Sequence, residues 1–361
     1  MATPGAPVQV ESIFSLQEFE ELAQGRMSGM ALSYISGGAA DELTLRANLE
    51  DWKQIRLKPT VLVDVSHVDL GTELLDQKLG FPILLAPAAF HRLCHPEGEL
   101  ATVAGANQAN ASFVLSSYST VAVEEVAAAA KHPLWFQLYA QSDRELTRHM
   151  VQRAEAAGCK ALCVTVDTPV LGARNRESRS LFKLPPEFKL PNLAVEPAGG
   201  RATGRAVADQ LLAPTLTWKD IEWLRSITSL PVLLKGIMNP DDAVRAADAG
   251  VAGIMVSNHG GRNLDTLPST AEALPRISDK LQGRLPIIVD GGIRRGTDVL
   301  KAIALGAQAV MIGRPYLHGL AVGGAAGVAR VVEILRTELQ MAMALTGRTR
   351  IAEIDRSVLW D

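Results

Sequence analysis

The chain has 361 residues, 47% hydrophobic and 21% charged, with 36 basic and 39 acidic side chains and a net charge of −3. Those proportions are globular and exclude a disordered or fibrous chain. With no lysine- or arginine-rich block they also give no reason to expect a nucleic-acid partner.

The first residues, "MATPGAPVQVES", have neither a basic start nor an apolar core, so no secretory signal is expected. The stretch 1–80 then reads as a helical lead, "SLQEFEELAQGRMSGMALSYIS", followed by an extended part. After it come eight short apolar runs, each ending in polar or glycine-rich residues: 81–89, 111–117, 134–140, 161–169, 230–236, 252–261, 285–292 and 309–315. They are apolar throughout and do not alternate, as expected for strands buried on both faces. Between them lie helical patterns. Residues 143–158 place Leu146, Met150, Val151 and Ala154 on one face, and 240–250 and 296–307 open on acidic residues and close on small ones near a glycine. Alternating strands and helices predict an α/β fold, a parallel (β/α)8 TIM barrel, here as a single domain over 1–361. The Ala-, Gly- and Pro-rich stretch within 170–215 is an insertion after the fourth strand and reads as an active-site lid.

Three cysteines, Cys94, Cys159 and Cys163, are too few and too scattered for a disulfide framework and fit a reducing compartment. No run reaches the roughly 20 uninterrupted apolar residues of a transmembrane helix. A cytoplasmic protein with no membrane partner is the expectation.

In such barrels the C-terminal strand ends build the site. They carry Pro87, Ala88 and Ala89; Ser116, Ser117 and Tyr118; Gln137 and Tyr139; Thr165 and Asp167; Lys235; Ser257, His259 and Arg262; Asp290, Gly291 and Gly292; and Gly313 and Arg314. "DGGIRRG" and "IGRP" follow the seventh and eighth runs, where glycines, helix N-termini and arginines suit a phosphate. Lys235 has three readings: a Schiff-base lysine, a fixed charge beside a cofactor, or a structural ion pair. In "SNHGGRNLD" (257–265), His259 can take a proton near neutral pH and Arg262 can hold a carboxylate. Asp167 could orient the imidazole, and Tyr139 could donate to a substrate oxygen or merely fill the rim. No metal set emerges; His91 and His95 read as a loop pair near the rim. No dinucleotide glycine fingerprint follows an early strand, so NAD has no evident seat.

The ordered set "SYISGGAADELTLRAN", "HPEGE", "TVDTPVLGARNR", "LLKG", "SNHGGRNLD", "DGGIRRGTDVLKAIALGA" and "GRPYLHGLA" closely resembles the FMN-dependent L-2-hydroxy acid oxidases and dehydrogenases, across nearly the whole chain. That family includes glycolate, lactate and hydroxymandelate oxidases and mandelate dehydrogenase. The resemblance implies an FMN barrel in which His259 takes the substrate hydroxyl proton, Asp167 pairs with it, and Tyr139 contacts the hydroxyl oxygen. It implies that Arg262, Arg174 and Tyr34 bind the carboxylate, and that the α-hydrogen leaves as hydride to the flavin or, alternatively, as a proton through a carbanion. Pro87, Ala88, Ala89, Ser116, Gln137, Thr165 and Ser257 would surround the flavin ring, with Lys235 at its N1–C2 edge. Asp290, Gly291, Gly292, Arg294, Gly313 and Arg314 would hold the ribityl phosphate.

Two departures concern substrate and packing. Tyr118 stands where glycolate oxidase has Trp and lactate oxidase has Tyr, and Ala89 is oxidase-like where mandelate dehydrogenase has Gly, whereas "PAAFHRLCHPEGE" is similar to the hydroxymandelate oxidase loop. The reading is a short substrate such as L-lactate, with O2 as acceptor and hydrogen peroxide as product. The alternatives are a dehydrogenase using a quinone or other acceptor, and an aromatic, mandelate-type oxidase. Asn263 replaces the usual Gln, a conservative change expected to matter little, outside the catalytic pair. The family suggests a homotetramer or octamer.

Overall fold

A computed structural model describes residues 8–193 and 213–360. The lead comprises helices α1 (Leu16–Gln24), α2 (Gly29–Ser36) and α3 (Leu43–Gln54), then an antiparallel hairpin, β1 (Thr72–Leu74) with β2 (Gln77–Leu79). Eight parallel strands then close into a barrel: β3 (Ile83–Leu85), β4 (Ser112–Ser116), β5 (Leu134–Leu138), β6 (Leu162–Thr165), β7 (Val232–Ile237), β8 (Gly253–Val256), β9 (Ile287–Val289) and β10 (Ala309–Ile312). Each falls within or overlaps one of the eight apolar runs. Around the barrel run α4 (Glu99–Ala109), α5 (Val123–Ala129), α6 (Arg144–Ala156), α7 (Asn175–Arg179), α8 (Trp218–Ser226), α9 (Pro240–Asp248), α10 (Thr270–Leu281), α11 (Gly296–Ala304) and α12 (Arg314–Leu345).

The absence of alternation has a direct cause. Leu84, Val114, Trp135, Cys163, Leu233, Met255, Ile288 and Met311 fill the barrel interior, while Ile83, Leu85, Phe113, Leu115 and Phe136 join the outer core under the helices. Both faces are therefore apolar. The hairpin, read from sequence only as an extended part, adds Leu74 and Leu79 to the interior cluster, and Gln77 accepts the Trp135 indole hydrogen at 2.9 Å. It plugs the barrel from inside the lead.

Helix boundaries follow local chemistry. Asn239 caps α9 ahead of Pro240 and two aspartates, Ser269 caps α10, and Asp298 accepts the backbone hydrogens of Arg294 and Arg295 at the start of α11. Cys159 and Cys163 are buried as small apolar residues, as expected. His91 is not at the rim: it is fully buried, with Nδ1 2.9 Å from Thr102 Oγ1 and Nε2 3.2 Å from Tyr316 Oη. Burial holds its pKa below the ordinary range despite Glu99 nearby, so it is a neutral core histidine.

One helix, α12, is long and apolar enough by composition to cross a membrane. Gly323 and Gly324 break it, and its two halves pack on α4, α1 and α11, which accounts for its apolar composition as core. Of the lid expected over 170–215, residues 194–212 lie outside the described residues, and the part before them contributes α7.

Candidate active site

The C-terminal strand ends converge on one cleft of about 1280 Å³, its open mouth included. Pro87, Ala88, Ala89, Ser116, Tyr118, Gln137, Tyr139, Thr165, Lys235, His259, Arg262, Asp290, Gly291, Gly292, Arg294, Gly313 and Arg314 line it, with Tyr34 and Arg174 from outside the barrel strands. Two expected residues stand behind the wall. Asp167 backs His259. Ser257 does not reach the cleft, because its buried hydroxyl accepts from Lys235 Nζ at 2.9 Å and from the His259 amide at 3.1 Å.

The segment after β8 turns sharply. His259, Gly260 and Gly261 all have positive φ, of 58°, 62° and 72°. A histidine in this region is uncommon and strained, and it aims the imidazole across the rim. Its Nδ1 lies 2.9 Å from Asp167 Oδ1, and its Nε2 lies 3.4 Å from Tyr139 Oη. Burial alone would raise the Asp167 pKa, but His259, Lys235 and the Thr168 hydrogen bond outweigh it and hold it below the usual value. Asp167 is therefore a carboxylate, Nδ1 carries the hydrogen, and Nε2 faces the cleft as an unprotonated acceptor within reach of the Tyr139 hydroxyl. Burial, helped by the charges of Lys235 and Arg174, keeps the His259 pKa below the ordinary range against the pull of Asp167. The imidazole is thus neutral and basic at neutral pH. Tyr139 is pushed up to about 12 by burial and Asp167, and remains a phenol that can donate.

Arg262 Nη1 donates to the carbonyls of Tyr34 at 2.6 Å and Gly37 at 3.1 Å, and its guanidinium lies 5.0 Å from the Tyr34 ring centroid. Arg314 donates to the carbonyls of Ile35 and Gly37. Two cleft arginines thus satisfy the open carbonyl end of α2 and seat Tyr34 over the site. Asp265 accepts the amides of Asp41, Leu43 and Thr44 at the start of α3, a role the sequence reading did not assign. Arg174 Nε donates to the Arg262 carbonyl at 3.3 Å, which brings both guanidinium groups to one side of the cleft.

Lys235 and Asp290 form a buried pair at 3.1 Å. Burial lowers the lysine pKa, yet Asp290, Asp167 and Tyr139 outweigh it and hold it above the usual value. A protonated lysine is no Schiff-base nucleophile; the ion pair of the third reading is present. Asp290, expected at the phosphate, lines the cleft and turns its side chain to Lys235. Its buried Oδ1 has no partner.

At the other end, Arg294 and Arg314 make no salt bridge among the described residues. Burial, then Arg262 and Arg294, hold Arg314 down to about 9. This positive corner, opposed only by the charges of Glu20, Glu42 and Asp298 without a direct salt bridge among the described residues, lies beside Gly291, Gly292 and Gly313 and suits a dianion. Gly292 has φ +86°, and a Cβ there would lie 1.7 Å from the Asn48 carbonyl oxygen. Gly292→Ala is expected to cost at least about 1–3 kcal/mol in backbone strain and to open this corner. A lower melting temperature with a reduced flavin-to-protein absorbance ratio would show it; a variant that melts and binds like the parent would not fit.

Sequence reasoning missed Thr168, Leu171, Glu177 and Phe90, which also line the cleft. Thr168 lies inside the run 161–169 and Phe90 directly after 81–89, yet neither residue type suggested a role, while Leu171 and Glu177 lie farther past a strand end. Asn263 also departs from expectation: it is outside the catalytic pair but touches it, donating to the Asp167 carbonyl at 2.9 Å.

Residues 23–361 match the family described as FMN-dependent dehydrogenase. The chain is similar to an L-lactate oxidase of Nostoc sp., 49% identical over 97% of this chain and 99% of that protein. It is also similar to a peroxisomal (S)-2-hydroxy-acid oxidase of Oryza sativa subsp. japonica, 47% identical over 95% of this chain and 94% of that one. Among solved structures, mandelate oxidase with (S)-4-hydroxymandelic acid superposes with a TM-score of 0.91 at 40% identity, covering 95% of this chain and 98% of that one. Flavocytochrome b2 with pyruvate bound gives 0.89 at 38% identity, covering 98% and 88%. With barrel, cleft and near full-length similarity in agreement, the chain belongs to the FMN-dependent dehydrogenase family.

Proposed function

We propose that this protein oxidises an L-2-hydroxy acid to the 2-keto acid with FMN, passing the electrons to O2 and releasing hydrogen peroxide. The observation that carries the reading is the His259–Asp167 pair facing the same cleft as Arg174 and Arg262. A neutral base and two cations on one rim match the two ends of a hydroxy acid. The cleft also fits FMN: the unpaired arginine corner suits the phosphate, and the orphaned Asp290 oxygen suits a ribityl hydroxyl donor.

Bound FMN supplies the hydride acceptor. The protein does the rest. Arg262 and Arg174 orient the carboxylate, with Tyr34 stacked on Phe182 at 4.4 Å as a wall. His259 Nε2 accepts the hydroxyl proton, and Asp167 stabilises the resulting imidazolium through Nδ1. Tyr139 donates to the substrate oxygen. Lys235 places a fixed positive charge beside the cofactor.

L-Lactate is the proposed substrate. Bulky Phe90, Tyr118 and Leu171 line the same cleft as Ala89, and the similar Nostoc protein is an L-lactate oxidase. A homotetramer is proposed from the family resemblance; exposed Val61, Leu62 and Val63 offer apolar surface for self-association, and light scattering would test the subunit number. Three free thiols suit the cytoplasm. A panel of hydroxy acids with peroxide detection tests the substrate and acceptor: L-lactate should lead, and activity only with an artificial acceptor would overturn the oxidase reading.

Arg262→Lys should lower kcat/KM for L-lactate by about 10–100-fold, since Arg262 Nη1 already serves the carbonyls of Tyr34 and Gly37 while Nε and Nη2 remain for a carboxylate, and one ammonium cannot do both with bidentate geometry. Steady-state kinetics would check it; an unchanged kcat/KM would place the clamp elsewhere.

A further inference from the structure

We propose that Asn263 is a positioning residue, one that orients Asp167 and Thr168 so that His259 keeps its cleft-facing nitrogen free of hydrogen. The inference rests on His259 being the base.

The amide is placed by direct contact between two loops. A Cβ on Gly172 would lie 2.0 Å from the Asn263 carbonyl oxygen, so the segment after β6 and the segment after β8 touch at their backbones. At this contact Asn263 Nδ2 donates to the Asp167 carbonyl at 2.9 Å and to Thr168 Oγ1 at 2.7 Å. With one lone pair of Thr168 occupied, its hydroxyl hydrogen goes to Asp167 Oδ1, 2.9 Å away. His259 Nδ1 uses that same oxygen at 2.9 Å, while the buried Oδ2 has no partner. Oδ1 therefore takes two donors at 2.9 Å, with Asn263 Nδ2 a third at 3.4 Å, so Asn263 and Thr168 together fix the oxygen that the imidazole uses.

Thr168 Oγ1 also lies 3.4 Å from His259 Nδ1. A hydroxyl that swung to donate there would favour the tautomer with hydrogen on Nε2, which cannot accept the substrate proton. The Asn263 amide opposes that swing. Its carbonyl end faces Arg174 Nη2 at 3.5 Å, so one side chain links the base assembly to the carboxylate clamp. The amide orientation follows from these partners, since the reverse would face the NH2 group to a guanidinium.

The test is anaerobic flavin reduction by L-lactate in the holoenzyme, followed across pH, for Asn263→Ala, Asn263→Gln and Asn263→Asp. The groups that face His259 are Asp167, Thr168 and Tyr139, with Lys235 and Arg174 acting through their charge. Asn263→Ala should slow reduction about tenfold with FMN still bound, and Asn263→Gln should restore most of the rate. Asn263→Asp puts a second negative charge beside the pair, which favours the imidazolium; its acid limb should move up by about one pH unit. Wild-type rates and an unmoved limb in all three would overturn the proposal. So would a loss in Asn263→Ala that tracks loss of FMN with no rescue by Gln. Failure of the base assignment looks different: His259→Gln would then reduce normally whatever stands at 263.

Discussion

His259→Gln should slow flavin reduction by L-lactate by about 10²–10⁴-fold, the range a positioned general base supplies, while FMN stays bound. Glutamine keeps a polar group near Tyr139 but has no lone pair basic enough to take a hydroxyl proton. The cofactor corner formed by Arg294, Arg314 and Gly292 does not depend on the imidazole, so the purified variant should remain yellow. The wild-type rate should also carry the signature of this group. Burial together with Lys235 and Arg174 holds His259 below its ordinary value of 6.5. The base is therefore ready at neutral pH, and the rate should fall only as pH drops below that value and the imidazole takes a proton. Rapid-mixing absorbance of the bound flavin measures both. A variant reducing at near wild-type rate would remove His259 from the mechanism.

Lys235→Met should unfold more easily and lose most of its FMN. The lysine is 5% exposed and pairs with Asp290, itself 7% exposed. Removing one partner leaves a buried carboxylate without its cation, which costs about 3–5 kcal/mol. It also removes the donor to Ser257, whose hydroxyl in turn supports the His259 amide. The double variant Lys235→Met, Asp290→Asn has no stranded charge and should regain much of the lost melting temperature. It should not regain the reduction rate, because the fixed positive charge is gone. Thermal melts and flavin content of both variants test this. A single variant as stable as the parent would mean that the pair is not closed in solution.

Much of this was legible in the chain, for physical reasons. Strands buried on both faces are continuous apolar runs, and all eight barrel strands followed from that; the closed parallel barrel then placed the chemistry at their C-terminal ends. What escaped was long-range pairing. Nothing local tells that Thr72–Leu74 and Gln77–Leu79 fold back to plug the barrel, since their burial comes from Leu84 and Trp135. Ser257 and Asp290 were found as site residues, but their partner, Lys235, comes from another strand end and decides which way each faces. Asn263 looked neutral because its donors and acceptors lie near position 167, across a loop contact that spacing does not reveal. His91 looked like a rim residue until Thr102 and Tyr316 were seen to enclose it.

The central claim is that one cleft joins a base, a carboxylate clamp and FMN for hydroxy acid oxidation. Its most direct test is anaerobic mixing of the purified holoenzyme with L-lactate and a panel of other L-2-hydroxy acids, followed by admission of air. The account predicts bleaching of the flavin with stoichiometric 2-keto acid, then return of the yellow colour with one equivalent of hydrogen peroxide. A flavin that stays oxidised with every L-2-hydroxy acid would contradict it.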